Sequence, residues 1–486
     1  MLTSSKIYTK KLYYIYNKIS TDIINIFMKI KKKRGNGMNN IFIFLESLFS
    51  GVFPFVFLMI VGLYFTFKSN GYQFRNFFKS MSAFFEGDKD NKSGVSSFGA
   101  VCTSLSATVG TGNIAGVASA ISVGGAGAVF WMWISALVGM CVKSAEIVTA
   151  ILYRDKDFTG GPMYYIKKGL PKKFFPLSFI FCVVGIISCF CTGNITQINA
   201  SVLSVSNNMV VRIIFGVVFA IVTAFVIIGG INKITAFTSK IVPFMAVLYI
   251  ILCFGVILKN FQTLPLAFAD IFKGAFNPSA VTGGAVGSLL NTVITGAKKG
   301  VFSNEAGLGT AGMAHSSAVD ATPQKQGLFG VFEVFVDTIL ICTLTALTIL
   351  CSGVIIDYGS VSSSELVKHS LFGLYGSFSS VMLSIMLCLF GISSVIGWSV
   401  YGIQCTKFLL GQRGAKAFIF IYPLFCIVGA VCKVETAWRI SEFFNGIMLI
   451  INLFAVIMLS GEVIPFLKGE QNDFKNRKNS KKIAKK

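Results

Sequence analysis

The chain of 486 residues is 54% apolar, 14% aromatic and only 13% charged, about half the charged share of a soluble globular domain. Too little polar material remains to wet a folded surface, and disordered, collagenous, coiled-coil or disulfide-stapled chains are excluded as well, leaving a polytopic membrane protein, whose spans are read below as helices of an all-α fold. The surplus of 43 Lys and Arg over 20 Asp and Glu, a net +23, would point a soluble protein to nucleic acid; in a bilayer it asks which side holds the charge, and no nucleic-acid partner is expected.

In chain order, residues 1–37 carry nine basic residues, among them Lys31, Lys32, Lys33 and Arg34. They lack the unbroken apolar stretch of a signal peptide. Beyond them, charge-free runs measure the spans, because an ionised group at the bilayer centre costs about 2.5–3.5 kcal/mol and about 20 apolar residues cross the hydrocarbon. Segment 38–97 holds one span, the 21 uncharged residues between Glu46 and Lys68, and a cytoplasmic loop. Segment 98–260 starts within 50 uncharged residues between Lys92 and Lys143, two helices around a turn from Gly124 to Gly127, and continues through 38 more between Lys173 and Arg212. Residues 261–280 read as an external connection, 281–461 as a second block of five spans, and 462–486 as a basic tail, which makes eleven spans in all. Alternating the loops puts 25 basic residues on one side and 6 on the other, so the C-terminus is expected in the cytoplasm. The basic start contradicts that orientation. A surface helix overridden by hydrophobic pull, a span count wrong by one, or translation beginning at Met38 would each resolve it.

Two places concentrate glycine inside apolar runs: Ser106-Ala107-Thr108-Val109-Gly110-Thr111-Gly112-Asn113-Ile114-Ala115-Gly116, and Phe302-Ser303-Asn304-Glu305-Ala306-Gly307-Leu308-Gly309-Thr310. An interior Gly weakens a helix by about 1 kcal/mol relative to Ala. Helices broken at matching places in two halves point to an inverted-repeat transporter, where freed amides hold an anion and freed carbonyls a cation. The alternative for one such helix is close packing, and Gly112 with Gly116 has the spacing for it; two sites containing Asn, Ser and Thr favour binding. Gly110-Thr111-Gly112 has no preceding strand and is not a dinucleotide motif. Lys143 and Glu146 read as an interfacial pair. Glu333 and Asp337, four apart on one helix face, read either as functional carboxylates or as solvated groups near the cytoplasmic end. Gln197 either faces a cavity or closes a helix end. Ser393 and Ser394 either bond back to their own helix or supply oxygens to a hard cation. The twelve cysteines, lacking metal spacing and accompanied by two histidines, read as packing.

Through Thr108-Val109-Gly110-Thr111-Gly112-Asn113-Ile114-Ala115-Gly116-Val117-Ala118, Gly160-Gly161-Pro162-Met163-Tyr164-Tyr165-Ile166, and Phe302 to Thr310 with His315 beyond, the sequence resembles the sodium:alanine (alanine or glycine:cation) symporters of the amino acid–polyamine–cation superfamily, over about residues 41 to 465. The resemblance implies eleven spans, the last ten forming a leucine-transporter-like fold of two inverted five-helix repeats, in a cell-membrane carrier that is not an enzyme and has no cofactor. It implies sodium-coupled symport of a small neutral amino acid, alanine or glycine. Backbone amides of Thr111 and Gly112 would hold the substrate carboxylate, Thr108 would face the pocket, Asn304 and Gln197 would contact polar groups, and Trp398 would limit side-chain size. Sodium would sit on carbonyls of Ser106, Val109 and Phe390 and hydroxyls of Ser393 and Ser394. The first break carries no charged residue, which suits a zwitterion. Proton coupling through Glu305, Glu333 or Asp337 is the alternative within transporters, and a sensor or channel the alternative outside them, although no ring of polar or charged residues lines a continuous path.

Overall fold

The computed structural model describes residues 45–86, 94–284, 288–359 and 364–470. The basic start with Met38, and the tail beyond residue 470, lie outside the described residues. All regular structure among the described residues is helical, as hydrocarbon requires when each backbone polar group must find its partner within its own segment. The chain runs through α1 (Val52–Lys68), α2 (Ser97–Thr108), α3 (Val117–Gly124), α4 (Gly127–Tyr153), α5 (Pro176–Phe190), α6 (Thr196–Val205), α7 (Met209–Ile227), α8 (Gly230–Lys259) and α9 (Leu264–Phe276). It continues through α10 (Leu289–Asn304), α11 (Thr310–Ser316), α12 (Pro323–Val334), α13 (Thr343–Cys351), α14 (Ser364–Tyr375), α15 (Phe378–Ile421), α16 (Phe425–Val431) and α17 (Val434–Met458).

Eight described stretches are long and apolar enough to cross a membrane. The pairs α2–α3 and α10–α11 are helices interrupted halfway, and the 44-residue α15 turns at Gly411, where φ is 66°. Wide π turns at Cys191–Ile195 and Phe335–Cys342 join α5 to α6 and α12 to α13.

Helix α4 is the centre of the bundle: 89% of its apolar window is buried, against 33% for α7, which faces outward. Both α10 and α12 lie directly on α4. Glycine admits them, since a Cβ at Gly300 would stand 2.2 Å from Ser135 Oγ and one at Gly330 would stand 2.7 Å from the Ser144 amide nitrogen.

The structure changes two expectations. Lys143 and Glu146 are not an interfacial pair but are wholly buried on α4. Glu333 and Asp337 are buried too, not solvated near a helix end. The connecting residues 261–280 are mostly helical, and the Ala275 carbonyl of α9 accepts from the Trp131 indole N–H at 3.0 Å.

Candidate functional site

The first break begins at Val109, whose backbone is extended at φ −78°, ψ 90° after eleven buried residues of α2. The Gly110 amide then donates to Asn113 Oδ1 at 2.9 Å, and the wide turn Gly112–Gly116 restarts the helix as α3. Close packing does not account for these glycines. A Cβ at Gly116 would meet nothing within 4 Å, and one at Gly112 only the Phe302 ring at 3.8 Å. Gly110 differs, because a Cβ there would stand 2.5 Å from Ser394 Oγ and 2.9 Å from Gln197 Oε1.

Three elements therefore meet at Gly110. Thr111 donates to Gln197 Oε1 twice, from its amide at 3.0 Å and its hydroxyl at 2.9 Å. Gln197 itself is held by Nε2 donating to the Thr192 carbonyl at 3.2 Å. Two donors of one residue thus converge on a single oxygen, that of the protein's own Gln197 amide.

Beside it, the Ser393 hydroxyl donates to the Ser106 carbonyl at 3.2 Å. The contact is close because Gly397 lets α15 approach, its Cβ position lying 2.3 Å from Ser106 Oγ. Ser394 Oγ is buried and has no hydrogen-bond partner. Phe390 lies one turn before it, buried against Tyr249 with ring centroids 5.3 Å apart. A buried hydroxyl without a partner costs about 1–3 kcal/mol, and hydroxyl and carbonyl oxygens are the donor type that hard cations take.

The other expected residues, Thr108, Trp398 and Asn304, are buried as well. The Thr108 hydroxyl points back to its own helix, 3.4 Å from the Ser104 and Leu105 carbonyls. Trp398 is buried against the turn before Gln197, its Cβ and Cγ 2.4 Å from a Cβ position at Gly193. Asn304 is engaged at the second break, where Oδ1 accepts from the Ala306 amide at 3.0 Å and Nδ2 donates to Thr338 Oγ1 at 3.2 Å.

That second break winds through left-handed backbone at Glu305 (φ 55°), Gly307 (φ 90°) and Gly309 (φ 83°). It is wired to the first. Asn113 Nδ2 donates to Asp337 Oδ1 at 2.7 Å and to Ser303 Oγ at 3.0 Å, and Ser303 Oγ donates to Asp337 Oδ2 at 2.8 Å. Lys143 Nζ reaches Glu333 Oε2 at 3.0 Å and the Asn304 carbonyl at 2.9 Å. Glu333 also meets His315 Nε2 at 2.6 Å and accepts from Ser104 Oγ at 2.7 Å.

Asn113, Lys143 and Glu146 bind the two breaks to their neighbours, Glu146 through Oε1 accepting from the Gly309 amide at 3.2 Å, without having been singled out from sequence. Asn113 lies in the motif itself, and an amide side chain directly after Gly112 in an apolar run was the available signal. Lys143 and Glu146 carry a weaker one, a pair of charges inside an otherwise apolar helix.

The profile of the sodium:alanine symporter family matches residues 36–485. The sodium/alanine symporter AgcS of Methanococcus maripaludis is 37% identical over 451 residues, covering 89% of this chain and 98% of that protein. A Bacillus subtilis protein described as a probable sodium/glutamine symporter, GlnT, is 38% identical over 422 residues, 85% of this chain and 86% of that one. Among solved structures, MhsT in complex with L-phenylalanine is similar with a TM-score of 0.57 at 15% identity, over 78% of this chain and 97% of that chain, a likeness of fold.

Proposed function

The chain belongs to the sodium:alanine symporter family, and we propose that this multi-pass membrane transporter couples inward sodium movement to uptake of alanine or glycine by alternating access. The observation that carries the reading is the first break, where paired Thr111 donors and the unpartnered Ser394 hydroxyl flank Gly110. In this mechanism the substrate carboxylate displaces Gln197 Oε1 from Thr111, exchanging one oxygen acceptor for another, and Gly112 contributes a further amide. Gln197, once released, turns to the substrate's polar groups together with Asn304, while Trp398 bounds the side chain.

Sodium sits on the carbonyls of Ser106, Val109 and Phe390 and the hydroxyls of Ser393 and Ser394. Its arrival satisfies Ser394 and fixes the extended turn at Val109, so ion and amino acid favour each other's binding reciprocally. A membrane potential supplies about 2.3 kcal/mol per charge per 100 mV, and a tenfold sodium gradient adds about 1.4 kcal/mol. One ion thus supports more than about 100-fold accumulation.

With the two broken helices and both arms of the Gly411 bend counted, the chain crosses eleven times, as two five-helix repeats after α1, with its C-terminus in the cytoplasm. The relatives' names differ in substrate, alanine for one and glutamine for another, so size selectivity is part of the test. Labelled alanine, glycine and glutamine are offered to proteoliposomes with sodium and proton gradients imposed separately. Alanine or glycine accumulation that needs sodium and persists without a proton gradient is expected. Uptake unchanged when potassium replaces sodium would reject sodium coupling, and preference for glutamine would reject the small-substrate assignment.

A further inference from the structure

We propose that Glu146 is the carboxylate of a second monovalent-cation site, for a proton or a sodium ion, at the second helix break. Glu146 projects from α4 onto the unwound segment, where one oxygen, Oε1, accepts from the Gly309 amide at 3.2 Å and from Asn452 Nδ2. The other oxygen, Oε2, is buried and without a hydrogen-bond partner. Asn452 Nδ2 also donates to the Gly307 carbonyl at 2.9 Å, and Tyr165 donates its hydroxyl to Asn452 Oδ1. Both ends of the turn from Gly307 to Gly309 are thus held by one carboxylate and the amide bound to it.

Charge accounting points the same way. Glu146, Glu305, Glu333 and Asp337 are all 3% exposed or less, and among the described residues the cations buried with them are Lys143 and His315. Lys143 acts electrostatically on all four carboxylates. Even with His315 charged, the acids exceed the bases by two, and an uncompensated buried ion costs several kcal/mol. One sodium at the first break leaves the cluster short of a positive charge.

The local partners say where that charge goes. Glu333 already holds Lys143 and His315. Asp337 accepts from Asn113, Ser303 and Thr338, and Glu305 accepts from Thr310 Oγ1 at 2.7 Å. Glu146 alone among the four has a carboxylate oxygen left buried and bare. The titratable groups that act on it are Lys143 one turn back on α4 and Tyr165 through Asn452, with Glu333 and then His315 beyond Lys143. A proton on Oε2 neutralises the carboxylate without moving it. A sodium ion would take Oε2, the Gly307 carbonyl and, after the Asn452 amide turns over, its Oδ1. Either occupant changes the grip on the second break, and through Asn113 and Ser303 it is linked to the first.

The site is an addition to the sodium-driven carrier proposed above, and it is testable without any amino acid. Sodium-22 binding and proton release on sodium addition are measured on the purified full chain, wild type and Glu146→Gln, across pH about 5 to about 9. A sodium occupant predicts about two ions bound per chain, falling to about one in the variant. A proton occupant predicts about one ion per chain with protons released on sodium binding, a release that the variant abolishes. Wild-type protein that binds one sodium ion and exchanges no proton overturns the proposal, as does a variant whose stoichiometry and proton release match wild type. The wild-type result decides even where Glu146→Gln fails to fold. Absence of alanine uptake, by contrast, would overturn the proposed function and leave this site standing.

Discussion

Replacing Gly110 with alanine tests the first break in the most local way. Gly110 does not hold a left-handed backbone, so alanine is allowed by conformation and opposed only by space. Its Cβ would stand 2.5 Å from Ser394 Oγ and 2.9 Å from Gln197 Oε1, about an ångström inside van der Waals contact. Ser394 and Gln197 are side-chain ends and swing aside, so the fold survives while the Ser394 hydroxyl leaves the sodium position. A hydrogen-bond-strength interaction with a charged group is worth about 1.5–3 kcal/mol, which predicts sodium activation shifted to about 10- to 100-fold higher concentration. The assay is the sodium dependence of labelled alanine uptake in proteoliposomes, with Gly116→Ala as comparator because a Cβ there meets nothing within 4 Å. Equal sodium dependence in Gly110→Ala and wild type would refute a cation site beside Ser394.

Three further outcomes follow from the same geometry. Gln197→Glu sets a permanent carboxylate against the Thr111 donors, and alanine binding by equilibrium dialysis is expected to weaken at least about tenfold while the protein elutes as a folded species; undiminished binding would take Thr111 out of the carboxylate site. Lys143→Met removes the ammonium from Glu333 and the Asn304 carbonyl, and breaking such a buried pair costs about 3–5 kcal/mol, so size-exclusion profiles are expected to show aggregated or absent protein, and a stable, active variant would contradict the pairing. In the loop after α4, partial burial raises the Asp157 carboxyl, but hydrogen bonds from Lys407 and Thr159 outweigh it and hold it at about 2. The contribution of that exposed pair, at most about 1 kcal/mol, is fully present above about pH 4 and is lost as pH falls through about 2. The melting difference between wild type and Lys407→Ala is therefore flat from about pH 5 to about pH 8, and a difference varying in that range would contradict the assignment.

Much of the fold was legible in the sequence because apolar length and charge obey a simple rule in hydrocarbon. The two breaks were legible too, since both strings of glycine also carry Asn, Ser and Thr inside an apolar run, and the structure breaks α2–α3 and α10–α11 at those positions. The same rule concealed the centre of the molecule. Charge-free runs treat every charge as a span end, so Lys143 was counted as a boundary, yet it lies wholly buried in α4. An ion pair inside the bundle escapes the bilayer penalty by finding its partner on another helix, here Glu333 on α12. That partner is 190 residues away in sequence, and no local pattern announces it. Asn304 shows a second limit: its place in the motif is plain, but only coordinates reveal that its amide caps Ala306 and meets Thr338. Residue identity locates a break, whereas the partner of each polar atom depends on which helices converge there.

The central claim is that one ion-dependent break moves sodium and a small amino acid together. Its most direct test is the simultaneous flux of sodium-22 and labelled alanine into the same proteoliposomes. The prediction is that each flux requires the other, with a fixed ratio as alanine concentration is varied, and that both fall together in Ser393→Ala. Alanine entry without sodium-22 entry, or sodium-22 entry indifferent to alanine, would contradict it.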